Sequence, residues 1–318
     1  MKAWISRYEL VPRRDLSARA SSAPRRGALL RFRDGYADLH PWRELGDDPL
    51  EEHLDSIVAE TPTSLARRSL DCALIDGEAR TAGYSLFEGH TVPPSHYPLG
   101  ALEKDLDFEL LRAAGFDRAK LKAGRQPVVE SSRLAAATPS IVASGIRIRI
   151  DFNSALGVAD LDAFLESLPP RLIDHLDFLE DPVPADPNAW KEIRSRWGVR
   201  IAADREKPAT DSWDVAVIKP AYEGDRTIAL CIDAGKPLVF TSALDHPLGQ
   251  LWAAWNAAVA LRDHPGRVLA CGLLTHDAYE RNAFSDLLSS IGPVLIPPRG
   301  AGLGFGDLLE ALPWKRLS

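Results

Sequence analysis

Five charged residues in the middle of the chain constrain the fold more than any other feature. Lys122, Asp151, Glu180, Asp204 and Lys219 each close a short apolar run, at successive intervals of 29, 29, 24 and 15 residues. Such intervals hold one strand and one helix, the last being a short unit. The runs span residues 119–123, 146–151, 176–180, 200–204 and 215–219, with further candidate strands at 81–88, 237–241 and 268–272. Helix-like stretches lie between them, as at 104–114, 158–167, 189–197 and 248–262. Eight strands with seven interleaved helices predict a parallel α/β barrel. Residues before 81 read differently. Residues 4–11 and 28–39 predict paired strands with a turn at Gly35, and 48–66 carries helical spacing through Leu54, Ile57, Val58 and Leu65. These point to an α+β domain at 1–80, completed by the tail 276–318, around a barrel at 81–275.

Composition narrows the function. The 318 residues are 45% hydrophobic and 26% charged, enough for a large core in about two domains. A net charge of -7 argues against a nucleic-acid partner. No apolar run is long enough to span a membrane, and the N-terminus shows no leader. Cys72, Cys231 and Cys271 are odd in number and far apart, which speaks against a disulfide framework and for a reducing, cytoplasmic setting. The charge is uneven. Residues 1–33 hold nine Lys or Arg against Glu9 and Asp15, a local +7 that leaves -14 for the remainder. The stretch 13–26 reads as a basic arm, either solvated or closing over an anionic substrate.

Period-two alternation puts Lys120 and Lys122 on one strand face, and Arg147, Arg149 and Asp151 on one face of the next. Residues at the C-terminal strand ends of a barrel converge at its mouth, where barrel enzymes work. Three converging carboxylates repel one another and raise at least one pKa. A hard divalent cation removes that conflict, and an all-oxygen donor set suits Mg²⁺. The alternative is an ion-pair belt in which Arg147, Arg149, Lys120 and Lys122 neutralise the acids. A lysine depressed by burial and neighbouring cations could instead act as a base beside a carboxylate. The segment Gly300–Gly306 contains Gly-x-Gly without a following βαβ unit, so it predicts turns, not a dinucleotide site. The eight histidines show no zinc spacing.

Lys120-x-Lys122, Asp151-x-Asn153, Glu180-Asp181-Pro182, Asp204 and Lys219, in that order, resemble the enolase superfamily in its muconate-lactonizing-like subgroup. The likeness extends to Gly35-Tyr36-Ala37-Asp38 through Pro41. Within the subgroup the chain is most similar to o-succinylbenzoate synthases, on Arg149 two residues before Asp151, an aspartate at the third metal position and the compact length. The resemblance implies a modified (β/α)7β TIM-type barrel with an α+β capping domain. It implies Mg²⁺, with Mn²⁺ as an alternative, on Asp151, Glu180 and Asp204. Lys122 would remove the proton α to a carboxylate and return it to the departing hydroxyl in a syn elimination. Lys219 would stabilise the enediolate by a cation–π contact, and Lys120 would sit near the carboxylate. Arg149, Asn153, Thr241, Ser242 and Gly272 would bind substrate, the last three near a succinyl tail. The implied reaction turns 2-succinyl-6-hydroxy-2,4-cyclohexadiene-1-carboxylate into o-succinylbenzoate in menaquinone biosynthesis, by a monomer or weak oligomer. Alternatives are an N-acylamino-acid racemase, dipeptide epimerase or cycloisomerase, or a non-catalytic small-molecule binder. The chain departs from the pattern at Arg205, where an acid often follows the third ligand; Glu206 comes one place later.

Overall fold

A computed structural model describes residues 2–16, 18, 20, 22–100, 102 and 106–318. Three antiparallel strands open the chain: β1 (Ala3–Leu10), β2 (Arg25–Phe32) and β3 (Gly35–Leu39). Two helices follow, α1 (Leu50–Val58) and α2 (Ser64–Ala82). The single helical stretch expected at 48–66 is therefore broken. Pro62 cannot continue α1, and the Thr63 side chain caps α2 by accepting from Ala66 N at 3.3 Å. Helix α2 lies directly on β3. A Cβ built on Gly35 would meet Ala73 O at 1.9 Å and Gly77 N at 2.4 Å, so the two backbones approach as only glycine allows.

The strand expected at 81–88 does not form. Helix α2 runs on to Ala82 and ends at Gly83 with φ 78°. Leu86 N then donates to Gly302 O at 2.9 Å, so the C-terminal tail holds this turn. The first barrel strand is instead β4 (Tyr97–Gly100). Next come α3 (Phe108–Ala113), β5 (Arg118–Lys122), α4 (Pro127–Ser144), β6 (Arg147–Asp151), α5 (Val158–Glu166), α6 (Pro170–Ile173) and β7 (Leu176–Glu180). The helix expected from residue 104 begins at Phe108, capped by Asp107; residue 104 lies outside the described residues. Then follow α7 (Pro187–Trp197), β8 (Ile201–Ala203), β9 (Val215–Ile218), α8 (Asp225–Asp233), β10 (Leu238–Phe240) and α9 (Pro247–Asp263).

Strands β4 to β10 form one parallel sheet in chain order. The expected eighth strand at 268–272 is reduced to single bridges. Val268 and Gly272 pair with Leu238 and Thr241, and Cys271 pairs with Ser95 just before β4. Those bridges join the last strand to the first and close the barrel. Alternate strand residues serve two cores. Val215 and Val217 join Phe178, Ala202 and Val239 in one cluster, while Ala216 and Ile218 pack with helix residues such as Trp190 and Leu251 in another. The tail carries β11 (Ser289–Ile291), β12 (Val294–Ile296), α10 (Gly306–Glu310) and β13 (Lys315–Arg316). Strand β13 pairs with β1, so both chain ends share one sheet. No helix among the described residues is long and apolar enough to cross a membrane.

Candidate active site

Strand register assembles the site. Lys122, Asp151 and Glu180 are Cα partners across β5, β6 and β7, and Lys120, Arg149 and Phe178 are partners two residues earlier. Asp204 directly follows β8 and Lys219 directly follows β9, so all five strand-end charges ring one mouth. Lys120 Nζ lies 2.7 Å from both Glu180 carboxylate oxygens and 2.9 Å from Asp151 Oδ2. Lys122 also donates to Asp151 Oδ2, and Lys219 to Asp204 Oδ2. The acids are almost wholly buried, which makes these charge-assisted bonds strong and their loss costly.

Burial would raise Asp151 and Asp204, but the facing lysines outweigh it and hold both below the usual carboxylate range. Glu180 goes the other way. Burial, and then the charge of Asp151, push its carboxyl up to about 7 against the pull of Lys120. Burial would lower Lys120 and Lys219, yet the acids they face hold both above the usual lysine value. At these two the carboxylates each lysine faces oppose the lowering by burial. Asp181 is an acid whose role the sequence reading left unassigned. Its Oδ1 accepts from Asp204 N at 3.0 Å, and burial and the charge of Asp204 push it up to about 8. Asp181 and Asn153 adopt φ of 42° and 47°, a left-handed strain concentrated at the mouth.

Among the described residues, no three His, Cys, Asp or Glu side chains stand ready-made as a metal cluster. Asp151, Glu180 and Asp204 are turned on lysines instead, the ion-paired arrangement. The donor set nonetheless fits a hard divalent cation. Asp151 and Glu180 already share a single cationic point at Lys120 Nζ, and Asp204 is near enough to raise Glu180. Every donor is oxygen, and Asn153 Oδ1 is buried beside them without a hydrogen-bond partner.

A cavity of about 130 Å³ opens over this ring. The strand-end residues Lys120, Lys122, Asn153, Asp204 and Lys219 line it, together with Thr241, Ser242 and Gly272. Arg14, Leu16, Trp42 and Leu45 cover it from the N-terminal region, with Trp42 Nε1 bonded to Ala243 O at 2.7 Å. Two expectations change. Arg149 does not line the cavity; it is fully buried behind it, bonded to Asp177 at 2.8 Å and Ala270 O at 2.6 Å. A guanidinium inside a barrel must find an acid and a carbonyl, and both lie inward. The basic arm is also only partly solvated: Arg25 is buried, pairs with the exposed Glu44 and lies 3.6 Å over the Trp42 ring, while Arg13, Arg14 and Arg26 are exposed. Residues 17, 19 and 21 of the arm, Arg19 among them, fall outside the described residues. Between the two acids near Arg205, only Asp204 lines the cavity; Arg205 turns to Leu45 O. His96, also on the cavity wall, escaped the sequence reading because the first strand was placed too early. The alternating run Ser95 to Leu99 was the available signal.

Residues 3–79 match the family described as O-succinylbenzoate synthase, N-terminal domain, and residues 107–218 match Enolase C-terminal domain-like. An o-succinylbenzoate synthase of Bdellovibrio bacteriovorus is 35% identical over 333 residues, covering 100% of this chain and 99% of that protein. The chain belongs to the o-succinylbenzoate synthase family. That family lies within the enolase superfamily, whose enzymes generally depend on a divalent metal. Solved structures agree on the fold. An N-succinyl Arg/Lys racemase from Bacillus cereus superposes with a TM-score of 0.77 at 15% identity, covering 99% of each chain. A dipeptide epimerase from Enterococcus faecalis, complexed with Mg and L-Leu-L-Tyr, reaches 0.74 at 18% identity, covering 95% of this chain and 98% of its own. The architecture is that of this superfamily, a TIM-type barrel with an N-terminal capping domain.

Proposed function

We propose that this chain is an o-succinylbenzoate synthase acting on 2-succinyl-6-hydroxy-2,4-cyclohexadiene-1-carboxylate. The observation that carries the reading is a pair of lysines, Lys122 and Lys219, set around three buried acids under one cavity, in a chain 35% identical to a synthase over its full length. Asp151, Glu180 and Asp204 would hold Mg²⁺, or Mn²⁺ in its place, and Asn153 would orient Asp151, whose Oδ1 accepts from Asn153 N at 3.0 Å. A bound divalent cation supplies fixed positive charge against the substrate carboxylate. Lys122, which lies on Asp151 in this structure, would be the base that takes the proton α to that carboxylate. It then passes the proton to the hydroxyl on the same face. One C–H and one C–O bond break, a ring double bond forms, and water leaves. Lys219, facing the ring from β9, stabilises the charge that builds in between. Lys120 keeps positive charge beside the carboxylate, and Thr241, Ser242 and Gly272 line the space for the succinyl arm.

The same proposal makes residues 1–80 with 276–318 the capping domain and 81–275 the barrel, supported by the pairing of β13 with β1. It places the chain in menaquinone biosynthesis, in the cytoplasm, as a monomer or weak oligomer; its three cysteines are free and buried. The test mixes purified protein, Mg²⁺ and the cyclohexadiene substrate and follows loss of diene absorbance. A rate at background, with turnover of an N-acyl amino acid or dipeptide instead, would move the chain to the racemase or epimerase reading.

A further inference from the structure

We infer that His96 is a specificity-determining residue of this site, whose Nε2–H donates a hydrogen bond to an oxygen of the substrate's succinyl arm. This rests on the proposed synthase reading and assigns a partner for the part of the substrate that does not react.

The argument starts from a tautomer. His96 stands one residue before β4, is 6% exposed and lines the cavity. Its Nδ1 lies 3.0 Å from Arg149 Nη1. A guanidinium carries only donors and stays charged, so Nδ1 must accept. Arg149 cannot swing aside, because Asp177 and Ala270 O grip it in the barrel interior. The ring proton therefore sits on Nε2. The imidazole also stays neutral: burial first, and then the charges of Arg149, Lys120 and Lys122, hold it well below the ordinary histidine value. A neutral ring with its acceptor nitrogen occupied has one thing left to offer, an N–H donor.

That donor meets no protein acceptor among the described residues, and it is not sealed in as an orphaned buried atom. It opens on the cavity. A Cβ added to Gly272 would lie 2.8 Å from His96 Cε1, 3.2 Å from His96 Nε2 and 2.8 Å from Thr241 Cγ2. Glycine at 272 is thus what lets the imidazole edge reach the end of β10. Thr241 Oγ1, beside it, is buried without a hydrogen-bond partner. His96 Nε2–H, an obligatory donor, therefore stands beside Gly272 and Thr241, the wall that the proposed reading gives to the succinyl arm. The ligand group that satisfies this donor is a carbonyl or carboxylate oxygen, and the succinyl arm carries one at each end.

The test compares two ligands with the Mg²⁺-loaded protein: o-succinylbenzoate, and benzoate, which has the ring carboxylate without the arm. His96→Leu should weaken o-succinylbenzoate by about tenfold or more while changing benzoate less than about twofold. His96→Gln, whose amide N–H can stand near the Nε2 position, should recover most of the loss. Equal weakening of both ligands, or of neither, overturns the assignment. A ¹⁵N spectrum of the wild-type ring needs no variant: Nε2 should be protonated and Nδ1 not, and a proton on Nδ1 overturns it as well. If the wild type binds o-succinylbenzoate through His96 yet fails to dehydrate the diene, the reaction reading falls and this one stands.

Discussion

Replacing Arg149 by methionine should destabilise the protein by about 3 kcal/mol. The guanidinium is fully buried, holds Asp177 at 2.8 Å and Ala270 O at 2.6 Å, and lies 4.6 Å over the Phe178 ring. Removing one partner of a buried ion pair costs about 3–5 kcal/mol, mostly for the charge left behind. Asp177 would keep Arg118 at 3.2 Å and Arg200 at 3.5 Å, both partly exposed, which favours the lower end. For a chain of 318 residues, 3 kcal/mol lowers the melting midpoint by about 4–5 °C. Urea unfolding followed by circular dichroism reads the energy, and a loss under about 1 kcal/mol would refute the reasoning. The pH dependence gives a second check. Burial would raise Asp177, but Arg149, Arg118 and Arg200 outweigh it and hold the carboxyl below its ordinary value. A depressed carboxylate contributes stability that is present above its unfolded pKa, near 4, and lost as pH falls through the folded value. The gap between wild type and Arg149→Met should therefore be full at neutral pH and shrink below about pH 4. A gap that grew in acid would contradict the ion pair.

Other expectations follow from the same coordinates. Lys122→Ala should lower dehydration by about a thousandfold or more with its far-ultraviolet spectrum unchanged; retained turnover rules Lys122 out as the base. Treatment with EDTA should stop the reaction and added Mg²⁺ or Mn²⁺ restore it, while a chelator-insensitive rate excludes the metal. Gly35→Ala drives a methyl into Ala73 O and Gly77 N and should cost about 1–3 kcal/mol in unfolding experiments; a neutral result would mean that α2 shifts off β3 freely. Burial pushes Asp38 up to about 7 although Tyr8 and His246 N–H favour its charged form. An acid with a raised folded pKa loses stability as pH rises from about 4 toward 7. Asp38→Asn should flatten that slope in pH-dependent melts, and an unchanged slope assigns it elsewhere.

Lys122, Asp151 and Glu180 were legible in the sequence because each ends a strand and a period of two leaves no freedom over which face it takes. Spacing by one strand and one helix then brings such residues to one mouth in any closed parallel barrel. Short strands were less legible. Tyr97–Gly100 has only four residues, and the closing segment at 268–272 is held by bridges, so neither carries enough periodicity to stand out. The apolar residues at 81–88 looked like a strand, yet helix propagation from α2 and the bond from Leu86 to Gly302 claimed them.

The sequence by itself determined the barrel, the order of its charged strand ends and the presence of a basic N-terminal region, since all three depend on local period and composition. Tertiary structure alone decided what each charge faces. Arg149 and Lys120 alternate alike on neighbouring strands, but one turns inward to Asp177 and the other toward Glu180 and the cavity. His96 becomes an N–H donor only because Arg149, 53 residues away, occupies its other nitrogen. Hydrogen-bond partners distant in the chain are settled by packing, and no local pattern encodes them.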